Sequence, residues 1–208
     1  EESNNVTLHK IIGIEMNKDI CSKPDVAPVQ EMQAAHRHIF SERMMLFWDH
    51  FGATDFETVK NRIRWMVASG CKFLFIDHLG IIVSGLTGQV SDERRLIDMI
   101  MTELRCMVQE LNVTMFLVSH LKRPASGEYE EGTAKVTLGS LRGSHSIAQL
   151  SDLVIALNVD SEAVDADMRQ LVVLKNRHTG ECGNADKLRY FRSSGRLKIT
   201  EEASESAF

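Results

Sequence analysis

KFLFIDHLG, residues 72–80, runs four apolar side chains straight into an aspartate and a histidine. An unpaired carboxylate in a protein interior costs several kcal/mol, on the order of the net stability of a whole domain. Asp77 therefore belongs where water or a cation can reach it, at the end of a strand and not inside one. Three further apolar runs have the same character: MMLFW (44–48), TMFLVS (114–119) and LVIAL (153–157). All four read as strands buried on both faces.

Helical patterns lie between them. Thr54 with Glu57 has the form of a capping box opening a helix through Ile63, Met66 and Val67, with Gly70 placed to end it. A second helix starts near Ser91, where Asp92 and Glu93 favour its positive end. Ile97, Ile100, Met101, Leu104, Val108 and Leu111 form its apolar stripe. Strands alternating with helices predict an α/β fold with a parallel sheet and right-handed crossovers. After Leu157 the pattern becomes strand, loop, strand (169–175, 186–191 and 195–200), with a Ser193-Ser194-Gly195 turn, which predicts an antiparallel edge. The segments up to about Pro28, 85–90 and 125–135 read as irregular.

Composition narrows the class. The chain has 208 residues, 43% hydrophobic and 25% charged, which suits one soluble globular core. No apolar run reaches the roughly 18 residues of a membrane span, and the first residues lack the order of a signal peptide. A cytoplasmic protein is expected. The four cysteines (21, 71, 106 and 182) show neither zinc-ligand nor disulfide spacing and read as reduced thiols. A net charge of −5 argues against a generally basic nucleic-acid coat, yet HLKRP and LKNRHTG are locally basic and the tail EEASESAF is acidic.

In a parallel sheet, ligands bind beyond the carboxyl ends of the strands. Asp77-His78 and Ser119-His120 would share that rim. Four apolar residues followed by Asp is also the form of a Walker B strand, whose carboxylate holds the water shell of a nucleotide-bound magnesium ion. The same pattern arises in strands with no such role, and a strand-end histidine also serves simply to bond backbone. Lys175 and Arg177 alternate outward before a Thr-Gly turn and would present two cations beyond the body of the domain. A solvated basic turn has the same composition.

Together FLFIDHLGIIVSG, SDERRLIDMIMTELR, FLVSHLKRP, EEGTAKVTLGSLRGSHSIAQLSDLVIAL and LVVLKNRHTGECG resemble the C-terminal helicase domain of podovirus primase/helicases, relatives of DnaB-type hexameric helicases. The resemblance runs from about Phe40 to Lys198 and implies a RecA-like, mainly parallel twisted sheet flanked by helices. Residues 1–200 would be the core and 201–208 an acidic tail. By position it implies magnesium coordination at Asp77 and a γ-phosphate sensor at His120. Arg177, with Lys175 beside it, would be an arginine finger reaching the neighbouring subunit's ATP. Tyr190 would stack on the base, Glu1 would orient the attacking water, and Gln149 would link the phosphate site to DNA. Lys122 and Arg123, with Arg142, Gly143 and Ser144 of the LRGS motif, would hold single-stranded DNA.

The substrate implied is ATP or dTTP with Mg2+. The assembly implied is a homo-hexameric ring moving 5′ to 3′ in the cytoplasm of a phage-infected bacterium, and the tail ending at Phe208 would dock on the replicative DNA polymerase. Three departures stand out. The loop after Lys122 is poor in lysine, Val159 stands where a second base-contacting arginine is expected, and no GxxxxGK[ST] phosphate loop occurs in the 208 residues. On that last ground the chain alone is expected to be inactive. The competing readings are a non-catalytic RecA-like lobe that binds DNA or polymerase, and another RecA-like ATPase. No primase motif is present to assign.

Overall fold

The computed structural model describes residues 2–41, 44–50, 54–85, 92–122, 136–141, 145–159 and 165–199. Its helices are α1 (Asn4–Met16), α2 (Val29–Ser41), α3 (Phe56–Ala68), α4 (Leu79–Ser84), α5 (Glu93–Leu111) and α6 (His145–Leu150). Its strands are β1 (Phe73–Ile76), β2 (Thr114–Leu117), β3 (Leu153–Val159), β4 (Met168–Asn176), β5 (Gly183–Phe191) and β6 (Arg196–Ile199). They form a two-stranded sheet, β1-β2, and a four-stranded one in the order β3-β4-β5-β6. The chain divides into two compact units.

The first unit takes in the described residues of 50–156 and Val173–Cys182. At its centre β1 and β2 run parallel, with Phe73 opposite Thr114 and Ile76 opposite Leu117. Helix α5 makes the crossover. Asp92 accepts from the Arg94 N–H at 3.0 Å to start it, and Asn112, at φ 50°, stops it by donating its N–H back to the Val108 carbonyl. Between these ends Leu96, Ile97, Ile100, Met101, Leu104 and Met107 are buried. Ile97, Ile100, Met101 and Leu104 are the stripe expected of a helix laid on a sheet, while Leu96 and Met107 join it and Val108 and Leu111 stay half-buried.

Helix α3 ends as its sequence suggests, with Gly70 at φ 109°, but begins differently. Asp55, not Thr54, caps it, accepting from the Thr58 N–H at 2.8 Å and from the Thr58 hydroxyl at 2.6 Å. A charged acceptor outcompetes a hydroxyl for those donors, and Thr54 is instead buried. The close fit there is shown at Gly85, where a Cβ would meet the Thr54 carbonyl oxygen at 2.0 Å.

Two other expectations fail in the second unit, which comprises Glu2–Asp49, Leu157–Val172 and the described residues from Gly183 on. The N-terminal segment is not irregular. Ser3 accepts from the Val6 N–H to start α1, and Asn17, at φ 55°, returns its N–H to Gly13 and Ile14. Both prolines of that region fall after this helix, so they break nothing. MMLFW is not a strand among the described residues. Met45 packs against Ile12, Ile20, Ala27 and Ile39, the core of the α1-α2 pair, so the run is satisfied by side-chain burial without a ladder. The C-terminal hairpin is antiparallel as expected, with Phe191 opposite Arg196. Its turn is closed by the Ser194 and Gly195 N–H groups on the Phe191 carbonyl, at 3.0 and 2.8 Å, and Gly195 supplies the positive φ.

The strands are not buried on both faces. Leu74 is 5% exposed while its neighbours Phe73 and Phe75 are 63% and 76% exposed. Phe116 of β2 and Leu153, Ile155, Leu157 and Val159 of β3 are about half exposed. Side chains alternate across a strand, and among the described residues only one face of β1 is covered. No described helix is long and apolar enough to cross a membrane. Leu74→Ala is therefore expected to cost about 2–5 kcal/mol, since it opens a cavity in the core. Phe75→Ala should cost no more than about 1 kcal/mol, its stacking on Phe116. Urea unfolding of the two variants measures the difference.

Candidate functional site

The rim beyond β1 and β2 is built by backbone first. The Val118 N–H donates to Ile76 and the Leu79 N–H to Val118, both at 3.0 Å, so the two chains leave the sheet side by side. Asp77 follows β1 directly and is exposed. Its carboxylate has no hydrogen-bond or ion-pair partner among the described residues. The Asp77–His78 peptide bond is cis. His78 caps α4, its Nδ1 accepting from the Gly80 N–H at 3.0 Å. Its ring lies against that of His120, with centroids 4.0 Å apart and planes inclined at 32°. Asp77 and His120 thus lie on one edge, joined through His78, a residue to which the sequence alone assigned no role.

Lys122 follows at once. Its N–H donates to the Ser140 carbonyl at 2.8 Å, its Nζ to the Gly139 carbonyl at 3.0 Å, and Leu121 bridges Leu141 in antiparallel fashion. The chain after His120 is therefore tied to the chain entering the LRGS motif. Glu1, Arg123, Arg142, Gly143 and Ser144 lie outside the described residues.

A second cluster in the same unit gathers around the C-terminal end of α6. Lys175 and Arg177 do not project freely outward as their alternation suggests. The Lys175 ammonium donates to the carbonyls of Ala148, Gln149 and Ser151 at 2.6, 3.1 and 2.9 Å. Arg177 donates to the Gln149 carbonyl and faces Asp152 at 3.3 Å. The last carbonyls of a helix have no partners within it and carry its negative end, so they draw in both cations.

Asp152 also pairs with Arg105, a contact spanning 47 residues of sequence. That hydrogen bond, more than the nearby charges of Arg105 and Arg177, holds the Asp152 carboxyl below its usual range against the opposing effect of burial. Burial, and then Arg177, push the Lys175 ammonium down. Gln149 contributes its backbone carbonyl here, while its side chain is exposed.

Tyr190 belongs to the second unit, where its N–H donates to the Asp167 carbonyl at 2.9 Å. It borders a cavity of about 310 Å³ with Lys10, Lys18, Asp19 and Gly195. Both lysines are already paired, Lys10 with Glu2 and Lys18 with Glu31. Among the described residues no three His, Cys, Asp or Glu side chains are grouped to hold a metal.

Residues 7–197 match the family described as DnaB-like helicase C terminal domain. The chain belongs to that family. This DnaB-like chain is 31% identical over 207 residues to a DNA helicase/primase of Enterobacteria phage T3, covering 95% of the chain and 36% of the relative. It thus spans about a third of that protein's length. Two solved structures share its fold. One, an ATPase domain, has a TM-score of 0.78 at 18% identity, covering 97% of this chain and 72% of that one. The other, a DnaB-like replicative helicase studied with its interactions with primase, has a TM-score of 0.77 at 19% identity, covering 97% and 50%. The fold is accordingly RecA-like α/β, but among the described residues the antiparallel hairpin belongs to a sheet separate from the parallel pair and not to an edge of it.

Two measurements test the geometry of this DnaB-like domain. A Cβ at position 80 would lie 2.7 and 2.8 Å from His78 ring atoms, so Gly80→Ala is expected to push that ring off His120 and abolish ring-to-ring NMR contacts. Asp152 has a lowered folded pKa. Its contribution is complete above the unfolded value of about 3.9 and is lost as pH falls through the folded value. Wild-type stability should therefore drop more steeply than that of Asp152→Asn in acid denaturation below about pH 4.

Proposed function

We propose that this chain is part of a nucleotide-driven, ring-forming replicative DNA helicase, moving 5′ to 3′ on single-stranded DNA. The observation that supports the reading most is the rim itself. An exposed carboxylate, Asp77, and an exposed imidazole, His120, end two parallel neighbouring strands, and Lys122 stands two residues further on.

Hydrolysis of ATP or dTTP transfers the terminal phosphoryl group to water, and its transition state needs charge neutralisation and an oriented water. Asp77 suits magnesium, because a single hard oxygen donor leaves that ion the water shell it gives up reluctantly. Bound there, the metal would supply positive charge at the phosphate oxygens. His120 is the γ-phosphate sensor, Glu1 orients the water, and Arg177, with Lys175 beside it, completes the charge shell of the neighbouring subunit's nucleotide. Tyr190 stacks on the base.

His120 precedes Lys122 by two residues, and the bridge from Leu121 to Leu141 ties in the approach to the LRGS motif. A displacement of His120 on loss of phosphate thereby moves the DNA-gripping residues Lys122, Arg123, Arg142, Gly143 and Ser144. Gln149 relays the state of the phosphate site to that DNA surface. Each such cation on phosphate adds a salt-sensitive contact. The acidic residues 201–208, ending at Phe208, dock on the replicative polymerase. The phosphate loop that this chemistry requires is not within the 208 residues, which span about a third of the helicase/primase relative.

The test uses full-length protein assembled on single-stranded DNA. Asp77→Asn is expected to lower turnover on the order of 100-fold or more. Lys122→Ala should weaken DNA binding and reduce the salt slope by about 0.7, with nucleotide affinity changed less than about twofold. Turnover indifferent to Asp77→Asn would remove Asp77 from the chemistry and, with it, the rim as the support for this reading.

A further inference from the structure

The Arg177 guanidinium is held on its own chain from two sides. Nη1 faces Asp152 Oδ1 at 3.3 Å, Nη2 donates to the Gln149 carbonyl, and the Arg177 N–H donates to the Asp152 carbonyl at 2.8 Å. Both terminal nitrogens, the pair that would fork onto a phosphate, are therefore in use. Asp152 does not depend on Arg177 in return, because its other oxygen, Oδ2, takes Nη1 of Arg105 from α5.

The local charges do not balance. Arg105, Arg177 and Lys175 surround one carboxylate, so Arg177 can leave without stranding Asp152, and its departure relieves repulsion among the cations. The side chains of Arg105, Asp152 and Arg177 are not sealed from solvent, being 25%, 34% and 43% exposed. Such a contact is weak enough to exchange for a phosphate.

We propose that Asp152 is a positioning residue that stands in for phosphate, parking Arg177 at the end of α6 until a nucleotide displaces it, while Arg105 sets how tightly Asp152 holds on. The inference rests on the reading of Arg177 as the residue that reaches the nucleotide. Removing Arg105 leaves Asp152 with Arg177 as its remaining guanidinium and tightens the parking. Neutralising Asp152 loosens it. A merely structural network would be weakened by both changes.

The test has two arms. In the chain alone, 15N NMR of the guanidinium groups should show faster Nη rotation and hydrogen exchange at Arg177 in Asp152→Asn and slower in Arg105→Gln. In full-length protein with single-stranded DNA, Asp152→Asn should lower the nucleotide concentration giving half-maximal turnover about threefold, the scale of an exposed ion pair, and Arg105→Gln should raise it comparably. Changes in the same direction in both variants, or Arg177 signals indifferent to either, would overturn the proposal. Arg177→Ala separates the two readings. If it leaves turnover intact the assignment of Arg177 to the nucleotide fails, whereas if it abolishes turnover and the paired variants shift nothing, only the role of Asp152 falls.

Discussion

The parallel ladder between Phe73–Ile76 and Thr114–Leu117 is the constraint on which the rest depends. Four residue pairs fix the register, and the period of two in a strand means that a slip of one would carry Leu74 out of the core and bring Phe73 and Phe75 in. The same register sets the heights at which the two chains leave the sheet. Two further backbone hydrogen bonds, Val118 to Ile76 and Leu79 to Val118, extend it past the strands. They seat the ring of His78 against that of His120. A helix begins one residue later, with His78 itself as cap.

Electrostatics organises the second cluster in a different way. Helix α6 is only six residues long, so its carbonyl ends are close to everything that packs on it. Lys175 satisfies two of them, Ala148 and Gln149, together with the Ser151 carbonyl just beyond, and Arg177 makes a further contact with Gln149. The Lys175 ammonium is desolvated in doing so, and its pKa falls accordingly. Asp152, immediately after that helix, is the one carboxylate within reach of both Arg105 and Arg177 among the described ion pairs. The cluster is thus a small cationic excess held by backbone dipoles and a single anion.

Much of this was legible in the residues. The stripe along α5, the glycine ending α3, the apolar run into Asp77 and the turn at Ser193-Ser194-Gly195 each follow from local rules of periodicity and φ, and each stands in the structure. The first helix was not legible in the same way: Ser3 and Asn17 cap it, but its apolar residues do not gather on one face, so periodicity gives no signal there, and Pro24 and Pro28 make the segment beyond it read as irregular. MMLFW shows the limit of composition. Five apolar residues have strand character, yet a strand also needs a neighbour with free backbone groups, and Met45 finds its burial against a helix pair instead.

The order of motifs along the chain by itself determined the family, the α/β class and the positions at which Asp77 and His120 end their strands, because these depend on local chemistry and spacing. Tertiary structure alone decided that His78 lies on His120, that the face carrying Phe73 and Phe75 stays open, and that Arg177 folds back onto Asp152. Arg105 and Asp152 are 47 residues apart, and no periodicity links them. Only the packing of α5 beside α6 brings their charges within reach, since side-chain electrostatics acts through space and leaves no mark on sequence separation.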